Sequence, residues 1–234
     1  MLFLNNCRKI EFIFVIIINS MSCANKTKMP VVFTIDGTIG AGKSSVLEYL
    51  NKTYNVPVIV EPINKWQPYL DDLYGNKESS AFNFQTRVWL DRCWIDPLTT
   101  NTVVMERSPF FQENVFVKIN RVNGRITEKQ SDMLKEMYDK TNKLWCPSGY
   151  VYLRSSPDNC LQRIAKRARN SEDAIPIEYM NQLNALHEEA YHTAANNGTN
   201  IICIDVDGKT IAEVAAEAWA ALKTLSTYID TKIF

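Results

Sequence analysis

The six cysteines of this 234-residue sequence (Cys7, Cys23, Cys93, Cys146, Cys160 and Cys203) include no C-x-x-C pair. Their scatter argues against a zinc ribbon or a disulfide framework and fits a reducing compartment. Charge of one sign is lacking as well, since 26 basic residues balance 26 acidic ones. No global field therefore points to nucleic acid or an anionic membrane as partner. The only two histidines, His187 and His192, lie five apart, whereas metal-binding pairs on one helical face sit at i, i+4. The apolar run Phe12 to Ile18 is too short to span a bilayer, which takes roughly 20 residues. Flanked by Arg8 and Lys9 on one side and by Ser20, Ser22 and Ala24 on the other, it has the look of a short signal peptide. No internal repeat or low-complexity stretch appears.

What is present is enough for one sizeable core: 46% of the residues are hydrophobic, and a chain of this length needs no second domain. The most informative stretch is Val31 to Ser44. A β-branched run, Val31 to Ile35, leads into Gly37-Thr38-Ile39-Gly40-Ala41-Gly42-Lys43-Ser44, which matches G-x-x-x-x-G-K-[ST] at every fixed position. Helix-compatible residues from Ser45 to Leu50 follow at once. Glycines there let successive backbone N–H groups face one anion, and the helix N-terminus adds partial positive charge. Lys43 is placed to reach the β- and γ-phosphates of a nucleoside triphosphate, and the Ser44 hydroxyl to hold Mg²⁺.

Beyond this unit the chain keeps alternating. Apolar strand-like runs occur at Val58–Val60, Thr102–Met105, Tyr150–Leu153 and Ile201–Ile204. Between them, Trp66–Tyr74 and Ala81–Thr99 have helical character, Thr127 and Gln130 form a capping box, and Ser156-Pro157 supplies an N-cap and an N1 proline. Pro176 opens another long helix, and Thr210 with Glu213 caps the last. Five such runs separated by helices predict an α/β domain with a five-stranded parallel sheet covered on both faces. Residues 1–28 are set apart as an extension, leaving 29–234 as the folded domain.

Ligands of such sheets bind at the carboxyl ends of the strands. Charged motifs fall there: Glu61-Pro62, Glu106-Arg107-Ser108 and Asp205-Val206-Asp207. Each alone could cap a helix; beside a phosphate loop they point to chemistry. Arg163 and Arg167 share a helical face, with Arg169 just beyond. Taken alone this is a solvated basic face. In a phosphoryl-transfer enzyme it is a set of planar, always-charged donors for the transferring group. Among the aromatics Trp66, Tyr69, Tyr74, Phe82, Phe84, Trp89 and Phe110, most read as core. Gln85 differs, because a carboxamide beside an aromatic ring can bond two adjacent edge atoms of a base.

These motifs, in order and spacing from about Val31 to Leu225, resemble the deoxynucleoside kinase family, which includes deoxycytidine, deoxyguanosine and mitochondrial-type thymidine kinases. The resemblance implies a P-loop kinase fold with an arginine-rich lid, ATP as phosphoryl donor, Mg²⁺ as cofactor and a deoxynucleoside as acceptor. It makes Glu61 the general base for the sugar 5′-hydroxyl, with Arg107 and Lys43 completing the catalytic set. Trp66 matches a pocket-wall tryptophan, Tyr74 and Glu172 the pair on the 3′-hydroxyl, and Phe84-Gln85 the base-reading pair. Glu106 matches a Mg²⁺-associated carboxylate beside Ser44. Arg163, Arg167 and Arg169 match lid arginines, and Asp205 and Val206 join the P-loop residues through Ser45 in binding ATP. A homodimer built on a helix pair, with the helix from Ala81 a candidate, is also implied.

Departures lie in the base pocket. Arg92 falls where some members carry an arginine paired to an aspartate, but the aspartate position is Gln112. Val88 matches the thymidine-accepting members, and Glu113 stands where relatives have a basic residue. Two outcomes follow for Arg92: Asp91 or Glu113 turns inward to pair with it, or it points outward. The expected activity is phosphorylation of thymidine and deoxycytidine with purines weaker, and Arg92→Met is expected to favour thymidine. The alternatives are a nucleoside monophosphate kinase of similar fold and a catalytically silent member serving as a structural subunit. This chemistry belongs in the cytoplasm; the signal-like segment 1–28 leaves an upstream extension, an organelle or membrane-targeting segment, or an added element of the fold open.

Overall fold

The computed structural model describes residues 30–75, 77–93, 101–167 and 175–227. The segment 1–28 and the expected site residues Arg169 and Glu172 lie outside these described residues.

β1 (Val31–Gly37) is the central strand. It pairs in parallel with β3 (Thr102–Glu106), Val31 opposite Thr102, and with β4 (Gly149–Arg154), Phe33 opposite Gly149. β2 (Val58–Ile59) and β5 (Ile201–Asp205) form the edges, giving the order β2-β3-β1-β4-β5, parallel throughout. Side chains alternate faces along a strand, so burial at every position from Val32 to Gly37 and throughout β3 means that both faces are covered. The expected five-stranded parallel sheet is therefore the observed one.

The covering helices start and stop where the sequence provides for it. α1 (Lys43–Tyr54) begins at Gly42, whose φ of 92° ends the phosphate loop. α2 (Ile63–Tyr74) and α3 (Ser80–Cys93) pack against each other. α3 runs from one residue before its expected start, and its expected continuation through 94–99 lies outside the described residues. α5 (Glu128–Leu144) carries the anticipated Thr127–Gln130 capping box. α6 (Pro157–Arg167) starts behind Ser156, whose Oγ accepts from Asn159 N. α7 (Ile177–Asn196) follows Pro176, and α8 (Ile211–Thr227) is capped by Thr210 and Glu213.

The segment 109–122, for which the sequence carries no clear period, forms α4. It opens with Ser108 accepting from Phe111 N, continues as a π-turn over Gln112–Val117 and returns to α-helix at Lys118–Val122. Such π segments concentrate at functional sites. Here the π-turn leaves Gln112 fully buried.

Candidate functional site

The carboxyl ends of β1, β2 and β3 open onto a cavity of about 810 Å³. Lys43, Ser44, Glu61, Glu106 and Arg107 line its floor at the strand ends; Trp66, Phe84, Gln85, Val88 and Arg92 line it farther out.

At the phosphate loop, two glycines are required by space as well as by φ. A Cβ on Gly37 would lie 2.6 Å from the Leu153 carbonyl oxygen, and one on Gly40 (φ 82°) 2.5 Å from that of Cys160. Lys43 Nζ donates to Thr38 O at 3.0 Å. Burial pushes its ammonium down to about 8, with nearby Arg107 adding to the effect and Glu106 and Glu61 opposing it. The Thr38 hydroxyl is buried without a partner. A cation on a backbone carbonyl and an orphaned hydroxyl are what a phosphate group would satisfy.

Ser44 Oγ donates to Glu106 Oε1 at 2.8 Å, and Glu106 Oε2 accepts from Glu61 N at 3.3 Å. Among the described residues no group of three or more His, Cys, Asp and Glu side chains could hold a metal. One hydroxyl and one carboxylate fit Mg²⁺, which is bound through one or two carboxylates together with substrate phosphates and waters.

Arg107 holds φ at 65°, a left-handed conformation that a non-glycine residue adopts at a cost. Asp36 fixes this turn: its Oδ1 accepts from Ser108 N at 2.7 Å and Ser108 Oγ at 3.0 Å, while Oδ2 accepts from Thr34 at 2.7 Å. The result aims the Arg107 guanidinium back over the loop. Its Nη1 donates to Gly37 O at 3.1 Å, its Nε to Glu61 Oε1 at 3.0 Å, and its face lies 4.2 Å from the Phe116 ring centre.

Glu61 Oε1 accepts a second guanidinium bond, from Arg92 Nη2 at 2.5 Å. Burial opposes ionisation of this carboxyl, but Arg107, Arg92 and Lys43 together outweigh it and hold its pKa well below the usual carboxylate range. Arg92 Nη1 donates to Gln112 Oε1 at 2.7 Å. Both outcomes drawn for Arg92 from the sequence are thereby corrected. It points inward, and its partners are Glu61 and Gln112. Asp91 cannot reach it because Arg87, Lys65 and Trp66 Nε1 occupy both its oxygens. Glu113 follows the π-turn away, into the field of Lys135 and Asp139 on α5.

Trp66, locked by that bond to Asp91, meets Phe84 edge-on at 6.0 Å, with Val88 packed against them. Tyr74 and Arg167 reach the cavity. Arg163 does not line it; it donates to Ser155 Oγ at 2.8 Å and Val206 O at 3.3 Å. Asp205 is exposed and lies 3.6 Å from Arg154, and neither it nor Val206 borders the cavity.

A family model described as deoxynucleoside kinase matches residues 33–225. The chain belongs to the deoxynucleoside kinase family. Mitochondrial thymidine kinase 2 of Homo sapiens is 32% identical over 168 residues, covering 68% of this chain and 63% of that protein. This chain thus spans less than two thirds of that relative's length. A probable deoxycytidine kinase of Fowlpox virus is also 32% identical, over 67% of this chain and 69% of its own. Among solved structures, deoxyadenosine kinase from M. mycoides with bound dCTP superposes with a TM-score of 0.69 at 25% identity, over 81% of this chain and 99% of that one.

In this deoxynucleoside kinase family member, Asp36 and Phe116, which support the turn and the side chain of Arg107, escaped the sequence reading, as did Asn120, Arg125 and Tyr179 on the cavity wall. Asp36 was visible as an acid between an apolar strand and the first glycine of the loop, and that signal could have been used. Phe116, under Arg107, reaches the site only because of the π-turn, which leaves no sequence period.

Proposed function

We propose that this protein transfers the γ-phosphoryl group of ATP to the 5′-hydroxyl of a deoxynucleoside, with pyrimidine nucleosides (thymidine, deoxycytidine or both) preferred. The observation that carries the reading is the convergence of Glu61, Arg107, Lys43 and the Ser44–Glu106 pair on the floor of one cavity. Its outer wall of Trp66, Phe84, Gln85 and Val88 suits a flat, polar-edged ring. The names of the thymidine and deoxycytidine kinase relatives point the same way.

In this reading Glu61, held ionised by its arginines, accepts the 5′-hydroxyl proton. Arg107 keeps the carboxylate in place and turns its remaining donors to the transferring group. Lys43 leaves the Thr38 carbonyl for the β- and γ-phosphates, and the loop N–H groups hold the rest of the anion. Mg²⁺, held by Ser44 and with Glu106 beside it, would neutralise phosphate charge. Arg167 completes the phosphate side from the end of α6, while Arg163 must leave Ser155 and Val206 to join it. We also read the chain as a homodimer through α3 and its neighbour α5, which expose Leu90 and Met133.

The test is ADP release from Mg²⁺-ATP with thymidine, deoxycytidine, deoxyguanosine, deoxyadenosine and dTMP as acceptors. Release with the pyrimidine nucleosides is expected. A best acceptor of dTMP would favour a monophosphate kinase, and a best purine acceptor would overturn the base preference.

A further inference from the structure

His187 is a buried titratable group with no part in the proposed reaction. It sits on α7 with no exposed surface, and its ring joins three others. Phe111 stacks on it at 5.7 Å between ring centres and Tyr152 at 6.2 Å, while Phe116 meets it edge-on at 5.6 Å, the planes 83° apart. Phe111 and Phe116 belong to α4 and Tyr152 to β4. The imidazole is therefore a wedge between the sheet and the π-turn.

The hydrogen bonding of this ring is fixed. Nδ1 lies 2.8 Å from Leu183 O, and a carbonyl only accepts, so the ring proton sits on Nδ1. Nε2 is left with a lone pair and no partner. Burial pushes the imidazolium down to about 3, with Arg107 and Lys43 adding to the effect and the Leu183 and Gly37 carbonyls opposing it. The ring thus stands close to two cations without adding a third. It also leaves the Gly37 carbonyl to Arg107 Nη1, which a protonated ring would contest.

From the wedge, touching groups lead to the reacting carboxylate. Phe116 presents its ring face to the Arg107 guanidinium at 4.2 Å, and Arg107 Nε donates to Glu61 Oε1 at 3.0 Å. We infer that His187 is a positioning residue for the phosphoryl transfer: its ring holds Phe116 against Arg107 and so keeps the Arg107 guanidinium on Glu61. The inference rests on the reading of Glu61 as the base. The charged groups facing Glu61 are Arg107, Arg92, Lys43 and the neighbouring Glu106. Arg107 does the most to keep the carboxyl ionised. An Arg107 that drifts off Phe116 therefore lets the Glu61 pKa rise, although Arg92 and Lys43 stay in place on other elements.

His187→Ala removes the wedge, His187→Leu keeps most of its volume without a ring, and His187→Phe keeps the ring. The measurements are kcat and KM against pH with Mg²⁺-ATP and deoxycytidine, and titration of the Glu61 carboxyl by ¹³C NMR on labelled glutamate. With alanine or leucine, kcat is expected to fall about tenfold or more while KM for ATP stays within about twofold, as for an interaction made in the transition state. The acid limb of kcat and the Glu61 titration should both move up by about one pH unit or more, the size of the effect of one adjacent guanidinium. His187→Phe should return both to near the wild-type values. A residue that only fills the core would lower Tm on truncation and leave the acid limb and the Glu61 titration where they were. Should His187→Ala fail to fold, the leucine and phenylalanine variants decide. An unmoved Glu61 titration in the folded variants, or no recovery with phenylalanine, overturns the inference. Absence of phosphoryl transfer to any nucleoside in the wild-type protein overturns the reading of the function, while the Glu61 titration still tests the positioning.

Discussion

Glu61 shares one carboxylate oxygen between two guanidinium groups. Glu61→Gln keeps the shape but removes the charge that both arginines lean on. Turnover should fall by about 10² to 10⁴, the range for a lost general base, while nucleoside binding persists in calorimetry. Near-normal kcat would remove Glu61 from this role. Glu113 is the other exceptional carboxyl. One of its oxygens is buried without a partner, and burial, reinforced by Asp139 and opposed by Lys135 and Arg121, pushes it up to about 7 from an ordinary 4.5. A raised folded-state pKa means that the protonated form stabilises the fold below about pH 4.5, and that this contribution is lost as pH rises through 7. Glu113→Gln should therefore gain in Tm relative to the wild-type protein between pH 5 and pH 8. A Tm difference that does not change with pH would contradict this.

Among the elements, the turn from β3 into α4 joins a left-handed residue, Arg107, to the floor of the cavity. Asp36 on β1 holds it by two bonds to Ser108. Asp36→Ala should leave the buried Ser108 N–H unpaired, cost about 1–3 kcal/mol in denaturant unfolding and lower activity through a misplaced Arg107. A variant with wild-type stability and turnover would show that the left-handed turn at Arg107 needs no such support. This turn is also where sequence reading stopped. The strands were legible because a sheet buried on both faces writes continuous apolar runs such as Val103 to Met105. The helix starts were legible because Thr127, Ser156 and Thr210 satisfy orphan N–H groups by local chemistry. The P-loop was legible by its motif, Glu61 and Glu106-Arg107-Ser108 by their position at strand ends, and Gln85 as a carboxamide beside Phe84. The partners of Arg92 were not, because they depend on a π-turn that swings Gln112 in and Glu113 out. That geometry is set by tertiary packing, and adjacent positions in a sequence do not record it.

For the whole molecule, the family match starts at residue 33 and the described fold at residue 30. Deleting residues 1–28 should leave a soluble protein with an unchanged Tm and unchanged activity. Insolubility or loss of the thermal transition would mean that this segment packs as part of the domain.

The proposed reaction is one event, transfer to the 5′-oxygen of a nucleoside. Product identity after incubation with Mg²⁺-ATP and deoxycytidine, read by ³¹P NMR and mass spectrometry, tests it most directly. The expected product is the 5′-monophosphate, formed in step with ADP and lost in Lys43→Ala. ATP hydrolysis without a nucleotide product, or phosphate on any other oxygen, would contradict the assignment of Glu61 and Lys43 to this reaction.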